Sequence, residues 1–309
     1  MMTIVMGKNT SLYKAGVICL LIVSLLLACK SQNMEEDQTG IWDAFVEFKE
    51  GDIPLILVAS HGGDLKPNWI NDRDCPGSKL LQDQYTLGIA LQLEKELQEL
   101  GFQPYMILAK IHRTKIDLNR SLSKSFCDDT KTNSLWSLFH EKIIEYSSSI
   151  ENSFGRGLLI DIHGQSHPIQ RIELGYLLDG EDLRALQNGL AHFPTSSVSI
   201  RQALENHPQN MELEDLLTGP MALGTLLEEA GFPSVPSASD TAPAPGDLFF
   251  SGGYNTQTYG SKDQGMIDAI QLELNRQGLR SESLDRQRFS QRFANILVQY
   301  LQTHYSDVF

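Results

Sequence analysis

Two apolar runs, Ile53-Pro-Leu-Ile-Leu-Val-Ala-Ser60 and Gly157-Leu-Leu-Ile-Asp-Ile-His163, decide the fold of this chain. Each is a short apolar segment with β-branched residues, which is typical of a strand buried on both faces of a sheet. Residues 104–110 and 173–178 have the same character. Strands of this kind usually belong to a largely parallel sheet that helices cover on both sides.

Segments with helical spacing of apolar residues separate these strands. Residues 79–100 and 132–146 are predicted to be helices, and residues 183–229 are predicted to be largely helical. Residues 263–276 and 284–304 are predicted to form two closing helices. The alternation of strands and helices predicts an α/β fold, a three-layer sandwich with a mostly parallel or mixed central sheet.

The first 28 residues predict a signal peptide rather than part of the fold. Lys8 and Lys14 precede an apolar run over residues 15–28, which is shorter than the roughly 20 residues of a membrane span. The sequence Leu26-Leu27-Ala28-Cys29 resembles a bacterial lipobox, which implies cleavage before Cys29 and lipidation of its thiol. The alternative is an uncleaved signal anchor with an incidental cysteine.

The chain after Cys29 predicts where the protein resides. Residues 29–50 begin polar and acidic and are predicted to be a flexible tether, followed by a single domain over residues 51–309. Lys30 stands directly after the cysteine, so no Asp is there to retain the protein at the inner membrane. We therefore expect a lipid-anchored protein of the bacterial envelope, on the outer membrane, either periplasmic or surface-exposed.

The charge of the chain argues against one class of partner. The chain has 25 Lys and Arg against 39 Asp and Glu. Removing the leader, which holds two lysines and no acids, leaves 23 against 39, a net charge of −16. Such an acidic body excludes nucleic acid as the expected partner. Two cysteines remain, Cys75 and Cys127, and both a disulfide and two unpaired thiols are compatible with the sequence.

Two histidines stand at the ends of the two buried runs. His61 follows the first run, and His163 closes the second. Open α/β sheets bind ligands at the carboxyl ends of their strands, so both side chains are expected at one edge. With Asp64 they provide two His and one carboxylate, a frequent ligand set for catalytic zinc. A lone strand-end histidine is more often structural. Asp161 is expected to orient the site, and His167 is a spare candidate ligand or support.

A basic segment follows the strand predicted at residues 104–110. It contains His112, Arg113, Lys115 and Arg120 in an otherwise acidic chain. An arginine fork binds a carboxylate through two hydrogen bonds, so the segment is a candidate anchor for an anionic substrate. A solvated basic loop explains the same residues equally well.

Six short motifs together resemble the N-formylglutamate amidohydrolase family, which belongs with the zinc carboxypeptidases and aspartoacylases. They occur in the family's order and span most of the mature chain. The motifs are Ser60-His61-Gly62-Gly63, Asp117-Leu118-Asn119-Arg120, Asp161-Ile162-His163-Gly164, Gly252-Gly253-Tyr254-Asn255-Thr256, Tyr259-Gly260 and Ile270-Gln271-Leu272-Glu273-Leu274-Asn275. The resemblance implies a zinc-carboxypeptidase-like fold and a zinc-dependent amidohydrolase.

The resemblance also implies individual roles. The zinc ligands would be His61, Asp64 and His163, although the wider group more commonly has Glu at the second position. Glu273 would be the general base that takes a proton from water, and it is expected on a helix. Substrate would be held by Asn119, Arg120 and Tyr254, and Arg113 or Arg120 would stabilise the oxyanion.

The chain departs from the family at one motif. After the Gly-Gly-Tyr sequence the family usually has an Arg-His pair, whereas this chain has Gln257-Thr258. The expected reaction is cleavage of a C–N amide bond in an N-acylated amino acid, with an N-formyl group as one candidate, or in another small or peptide substrate with a carboxylate. The alternatives are an envelope carboxypeptidase or peptidoglycan peptidase on the same scaffold, and a non-catalytic binding lipoprotein.

Overall fold

A mixed seven-stranded sheet forms the centre of the protein, with strand order β1-β3-β2-β4-β7-β5-β6. The computed structural model describes residues 40–127, 129–207, 209 and 211–309. The predicted signal peptide and Cys29 lie outside the described residues and stay predictions. The strands are β1 (Val46–Lys49), β2 (Leu55–Ala59), β3 (Tyr105–Ala109), β4 (Gly157–Gly164), β5 (Ile172–Gly175), β6 (Ser234–Val235) and β7 (Ile267–Leu274).

The four central strands, β3, β2, β4 and β7, run parallel, so their carboxyl ends share one edge. The outer strands are mixed, because β1 is antiparallel to β3 and β5 is antiparallel to β7. Every residue of β2 and β3 is buried, as expected for strands covered on both faces. The predicted α/β class with a mixed central sheet is confirmed.

Helices cover both faces of this sheet. The described helices are α1 (Thr86–Glu99), α2 (Leu122–Ser125), α3 (Asn133–Phe154), α4 (Gly180–Gln187), α5 (Arg201–Glu205), α6 (Leu213–Thr218), α7 (Leu223–Glu229), α8 (Tyr254–Tyr259) and α9 (Ser283–His304). Helices α1 and α9 pack with one set of alternate strand residues, which includes Leu57 and Ile160. Helix α3 contacts β2, β3 and β4, and the intervening residues, Val58 and Leu159, are also fully buried. The result is a three-layer sandwich.

Two sequence predictions about this architecture are wrong. Residues 263–276 do not form a helix, because Ile267–Leu274 is strand β7, paired with β4 along its whole length. Apolar and polar residues alternate over residues 270–274, and this central pairing outweighs local helix propensity. The predicted tether, residues 29–50, also extends too far, because β1 belongs to the sheet.

Residues 45–309 form one compact unit. Within it, Cys75 and Cys127 are joined by a disulfide with an S–S distance of 2.06 Å, which resolves the alternative that the sequence left open. Of the helices in the described part of the chain, none combines the length and apolar character that crossing a bilayer requires.

Candidate metal centre and its cleft

The two strand-end histidines meet at the carboxyl edge of the sheet. His61 follows β2 and His163 lies in β4, the next strand in the sheet. Their ring centroids are 4.8 Å apart, and each side chain is only 2% exposed. The parallel pairing of β2 and β4 therefore delivers both imidazoles to one point, as their positions after the apolar runs predict.

The carboxylate that joins them is Asp83. Its Oδ2 lies 3.0 Å from His163 Nδ1 and 3.4 Å from His61 Nδ1. Each of these three residues offers a ligand atom, and the three atoms lie within 4.8 Å of one another. In the described part of the chain this is the one group of three or more such side chains that is suited to a metal ion.

Asp64, the carboxylate that the sequence suggested, lies elsewhere. It is exposed, and its Oδ1 accepts a hydrogen bond from Gln82 Nε2 at 2.6 Å. The chain leaves His61 toward β3, where Leu65 forms a parallel bridge with Ile111. A Cβ on Gly63 would lie 2.2 Å from the carbonyl carbon of Lys110, so this close backbone approach carries Asp64 away from the histidines.

The sequence analysis does not name Asp83 as a metal ligand, because it predicts one helix over residues 79–100. In the structure the helix α1 begins at Thr86, and Asp83 lies in the loop before it. The Thr86 hydroxyl donates to the Asp83 carbonyl at 2.8 Å, and the Asp83 amide donates to the His61 carbonyl at 3.1 Å. An acidic residue just ahead of a helix start was the signal available in the sequence.

Other polar side chains hold the remaining ring nitrogens. His61 Nε2 is 2.6 Å from Asp117 Oδ1. His163 Nε2 is 2.9 Å from Asp161 Oδ2 and 3.1 Å from Asn119 Nδ2. Metal-binding histidines are usually oriented by such a carboxylate or amide on the nitrogen that does not face the metal. Asp161 thus lies where an orienting residue is expected.

The charge balance of the group fits a cation. His61 Nδ1 is buried without a hydrogen-bond partner among the described residues, so this atom is free to act as a ligand. Burial opposes the charged forms, yet the two histidines hold the pKa of Asp83 below its usual range. Burial likewise opposes a charged His163, but Asp161 and Asp83 raise the pKa of this imidazole well above its ordinary value. A dication would replace these protons as the positive partner.

Glu273 lies beside this group on strand β7 rather than on a helix. Its Cα is paired with that of His163 in the sheet, and its Oε1 accepts a hydrogen bond from Gln271 Nε2 at 3.0 Å. Burial raises the pKa of Glu273 to about 8, and the charge of Asp83 adds to this increase. A carboxylate with a raised pKa near a reaction centre is typical of a general base or acid.

The residues expected to hold substrate have different surroundings. Arg113 is committed to Asp117, donating to its Oδ2 through Nε at 3.0 Å and through an Nη at 2.9 Å. Arg120 is exposed and approaches the same oxygen only to 3.9 Å. Asn119 is buried, and its Oδ1 accepts from the Asn255 amide at 2.8 Å. Tyr254 lies outside the cleft lining and packs near the rings of Trp136 and His140.

A cleft of about 980 Å³ opens above the histidines. Its lining combines the candidate metal group and Glu273 with basic and apolar side chains of the surrounding loops. Those loop residues include Lys79, Leu80, Leu81, Arg113, Arg120, His167, Phe250 and Arg276. The cleft thus joins a chemical centre to a basic, partly apolar binding surface, in keeping with small-molecule sites in general.

No family model matches the sequence, and no curated protein matches it either. Among solved structures, the chain is similar to the N-formylglutamate amidohydrolase of Ralstonia eutropha JMP134, with 12% identity and a TM-score of 0.50 over 85% of this chain and 98% of that chain. It is also similar to a gene product of Agrobacterium tumefaciens, with 14% identity and a TM-score of 0.51 over 84% of this chain and 94% of that chain. At these identities the likeness shows the fold, and the chain therefore has the fold of an N-formylglutamate amidohydrolase, as the sequence resemblance implies.

Proposed function

We propose that this protein is a zinc-dependent amidohydrolase that cleaves a C–N amide bond in an N-acylated amino acid, with an N-formyl group as one candidate, or in a similar substrate with a carboxylate. One observation carries the proposal: the convergence of His61 Nδ1, His163 Nδ1 and Asp83 Oδ2, with a carboxylate within 3 Å of each outer ring nitrogen. Two histidines and one carboxylate form a frequent catalytic zinc set, which leaves a coordination position open.

The donor set fits zinc, and the surrounding residues divide the remaining work. Bound zinc supplies a Lewis acid that polarises a carbonyl group and lowers the pKa of water. Glu273 is the candidate general base, because it is a buried carboxylate beside His163 in the same cleft. It takes a proton from the attacking water as the bond to the acyl carbon forms. Asp117 and Asp161 hold the two imidazoles in place.

Arg120 is the candidate substrate anchor. It lines the cleft and its side chain is 47% exposed, whereas Arg113 spends its hydrogen bonds on Asp117. A guanidinium that is free of strong partners can bind a substrate carboxylate through two hydrogen bonds. Arg113 instead helps fix Asp117, and its Nη1 lies 3.7 Å from Asp83 Oδ1, which makes it the candidate to stabilise the oxyanion.

The size of the cleft supports a second candidate, a carboxypeptidase or peptidoglycan peptidase on the same scaffold. About 980 Å³ accommodates more than one amino acid.

The proposal also includes an envelope location and a lipid anchor at Cys29. The leader sequence is the only support for both. Mass spectrometry of the mature N-terminus tests them: a lipidated Cys29 is expected, and an intact Met1 would reject the anchor.

Metal analysis tests the centre. Purified protein should hold about one zinc per chain, and His61→Ala, Asp83→Asn and His163→Ala should each lose most of it. Asp64→Asn is the matched control, because Asp64 is exposed and outside the group. Zinc retained in all three variants, or lost in Asp64→Asn, would reject this ligand set.

A panel of formyl-, acetyl- and peptidyl-amino acids tests the reaction. We expect hydrolysis of at least one N-acyl amino acid that carries a free carboxylate, and no hydrolysis by the zinc-depleted protein. Faster hydrolysis of peptides than of N-acyl amino acids would favour the peptidase function over the amidohydrolase function. A zinc-loaded protein that binds panel compounds and hydrolyses none would instead indicate a binding lipoprotein.

A further inference from the structure

His167 is a histidine of the cleft to which the proposed function gives no role. It follows β4 and lines the cleft together with His163 and Glu273. Its Nδ1 is 2.8 Å from Glu173 Oε1. Its ring stacks on Phe250, with centroids 4.6 Å apart and planes 20° from parallel. The imidazole is therefore held both on an edge and on a face.

The carboxylate that holds His167 is itself deeply buried. Glu173 is 1% exposed, and its Oε2 accepts a hydrogen bond from the Phe250 amide at 2.8 Å. Strand β5 places Glu173 directly opposite Glu273 on β7, and directly opposed residues present their side chains on the same face of a sheet. Glu173 and Glu273 therefore lie side by side on the sheet, next to His163. Of the two, Glu173 contacts His167.

These contacts bear on which ring nitrogen of His167 carries a proton. Burial raises the pKa of Glu173, while the hydrogen bonds from His167 and Phe250 oppose that increase. Because Glu173 Oε2 already accepts from the Phe250 amide, the proposal takes Oε1 as the acceptor of the proton on His167 Nδ1. The hydrogen bonds of the described residues leave Nε2 unengaged, and the side chain stays 15% exposed. A histidine held by a carboxylate on one nitrogen and open on the other is the usual arrangement for proton transfer.

We propose that His167, oriented by Glu173, is the general acid that protonates the leaving nitrogen of the amide. The inference rests on the proposed amidohydrolase function and adds a residue to it. The oxygen of water bonds to the acyl carbon while Glu273 takes one water proton. The C–N bond then breaks, its electron pair goes to nitrogen, and the doubly protonated form of His167 gives that nitrogen its Nε2 proton while it keeps the Nδ1 proton on Glu173. His167 regains a proton from solvent. Glu273 releases its proton to solvent.

The described residues disfavour a ligand role for this histidine. The donor atoms that lie within ligand distance of one another belong to His61, Asp83 and His163, and His167 is outside that group. A purely structural role, in which His167 anchors the loop at Phe250, predicts losses that are independent of the leaving group. The general-acid role predicts losses that depend on it, because only a basic nitrogen needs a proton to leave.

The test compares two leaving groups in one protein. The probes are the N-formyl- or N-acetyl-amino acid of the panel with the highest wild-type rate, and its thioester analogue, in which sulfur replaces the scissile nitrogen. We expect His167→Gln to lower kcat on the amide about 10²-fold or more, and on the thioester less than about 5-fold, because a thiolate leaves without a proton. Glu173→Gln should show the same asymmetry to a smaller extent. Ile169→Ala, an exposed residue of the same loop that lies outside the cleft lining, is the matched control and should leave both rates unchanged.

Each outcome decides the matter. Equal losses on both probes, or loss of zinc from His167→Gln, would overturn the general-acid role while leaving the proposed function standing. If His167→Gln fails to fold, His167→Asn takes its place, with Glu173→Gln as the independent measurement. A zinc-loaded wild-type protein that hydrolyses no amide of the panel rejects the proposed function, and the inference fails with it.

Discussion

The two walls of the cleft are built in different ways. One wall consists of strand ends, where β2, β4 and β7 deliver His61, His163 and Glu273, and each of these side chains is at least 94% buried. The other wall consists of loops, which present Arg120 and Leu81 to solvent, with Leu81 85% exposed. Buried groups on strands are held by the backbone hydrogen bonds between the strands, whereas exposed loop residues are held by few contacts.

This difference suggests a division of labour. Catalytic groups need positions fixed to a fraction of an ångström, and the strand wall provides them through the pairing of β4 with β7 and the carboxylates behind each histidine. Substrate recognition tolerates more movement, and the loop wall provides exposed charge and apolar surface. Substitutions in the strand wall should therefore change kcat or the binding of zinc. Substitutions in the loop wall should change KM or the free energy of unfolding.

The largest expected effect is on the strand wall, at Glu273. Glu273→Gln keeps the side-chain size and an oxygen that can accept from Gln271, but it cannot take a proton. We expect kcat to fall about 10²- to 10⁴-fold with zinc content unchanged, measured by steady-state kinetics and metal analysis. A Glu273→Gln enzyme with wild-type kcat would remove Glu273 from the reaction and break the proposed division.

The strand wall was also the more predictable one. The apolar runs before His61 and His163 predict strands, and parallel strands share an edge, so both histidines could be placed from sequence. Glu273 was named by motif but assigned to a helix, although the alternation of apolar and polar residues over residues 270–274 is the strand signal that the structure bears out. Asp83 was missed because its place depends on where the helix α1 begins.

The second prediction concerns the loop wall, which the disulfide ties together. Cys75 and Cys127 are separated by 52 residues, so a loop-entropy model gives the bond about 4 kcal/mol of stabilisation. The Cys75→Ser/Cys127→Ser double variant should lower the free energy of unfolding by up to this amount, measured by chemical denaturation. Activity of the folded double variant should change mainly through KM, since His61, His163 and Glu273 lie outside the closed loop and only Asp83 and Asp117 of their group lie inside it.

Reduced wild-type protein is the control for this experiment. Reductant should reproduce the destabilisation of the double variant and should not affect that variant further. Equal stability of wild type and double variant would show that loop packing, rather than the covalent link, holds this wall.

The third prediction addresses the support behind the metal group. Asp117 accepts from His61 and Arg113 at 1% exposure, and Asp117→Asn keeps the shape of the side chain while removing its charge. We expect zinc affinity to fall about 10- to 100-fold, as for other orienting residues behind metal ligands. Competition with a chelator of known affinity measures this change. An unchanged affinity would mean that His61 is oriented by its burial alone.

The fourth and smallest expected effect is at Arg120, on the loop wall. Arg120→Ala should raise KM for a carboxylate-bearing substrate about 10-fold with kcat nearly unchanged, because a charge-assisted hydrogen bond contributes roughly 1.5–3 kcal/mol. Arg276→Ala, the other exposed arginine of the lining, is the matched comparison. The carboxamide form of the substrate should lose the dependence on Arg120 entirely. A KM effect that persists with the carboxamide would assign Arg120 to general packing, and an effect confined to Arg276→Ala would move the anchor to the other side of the cleft.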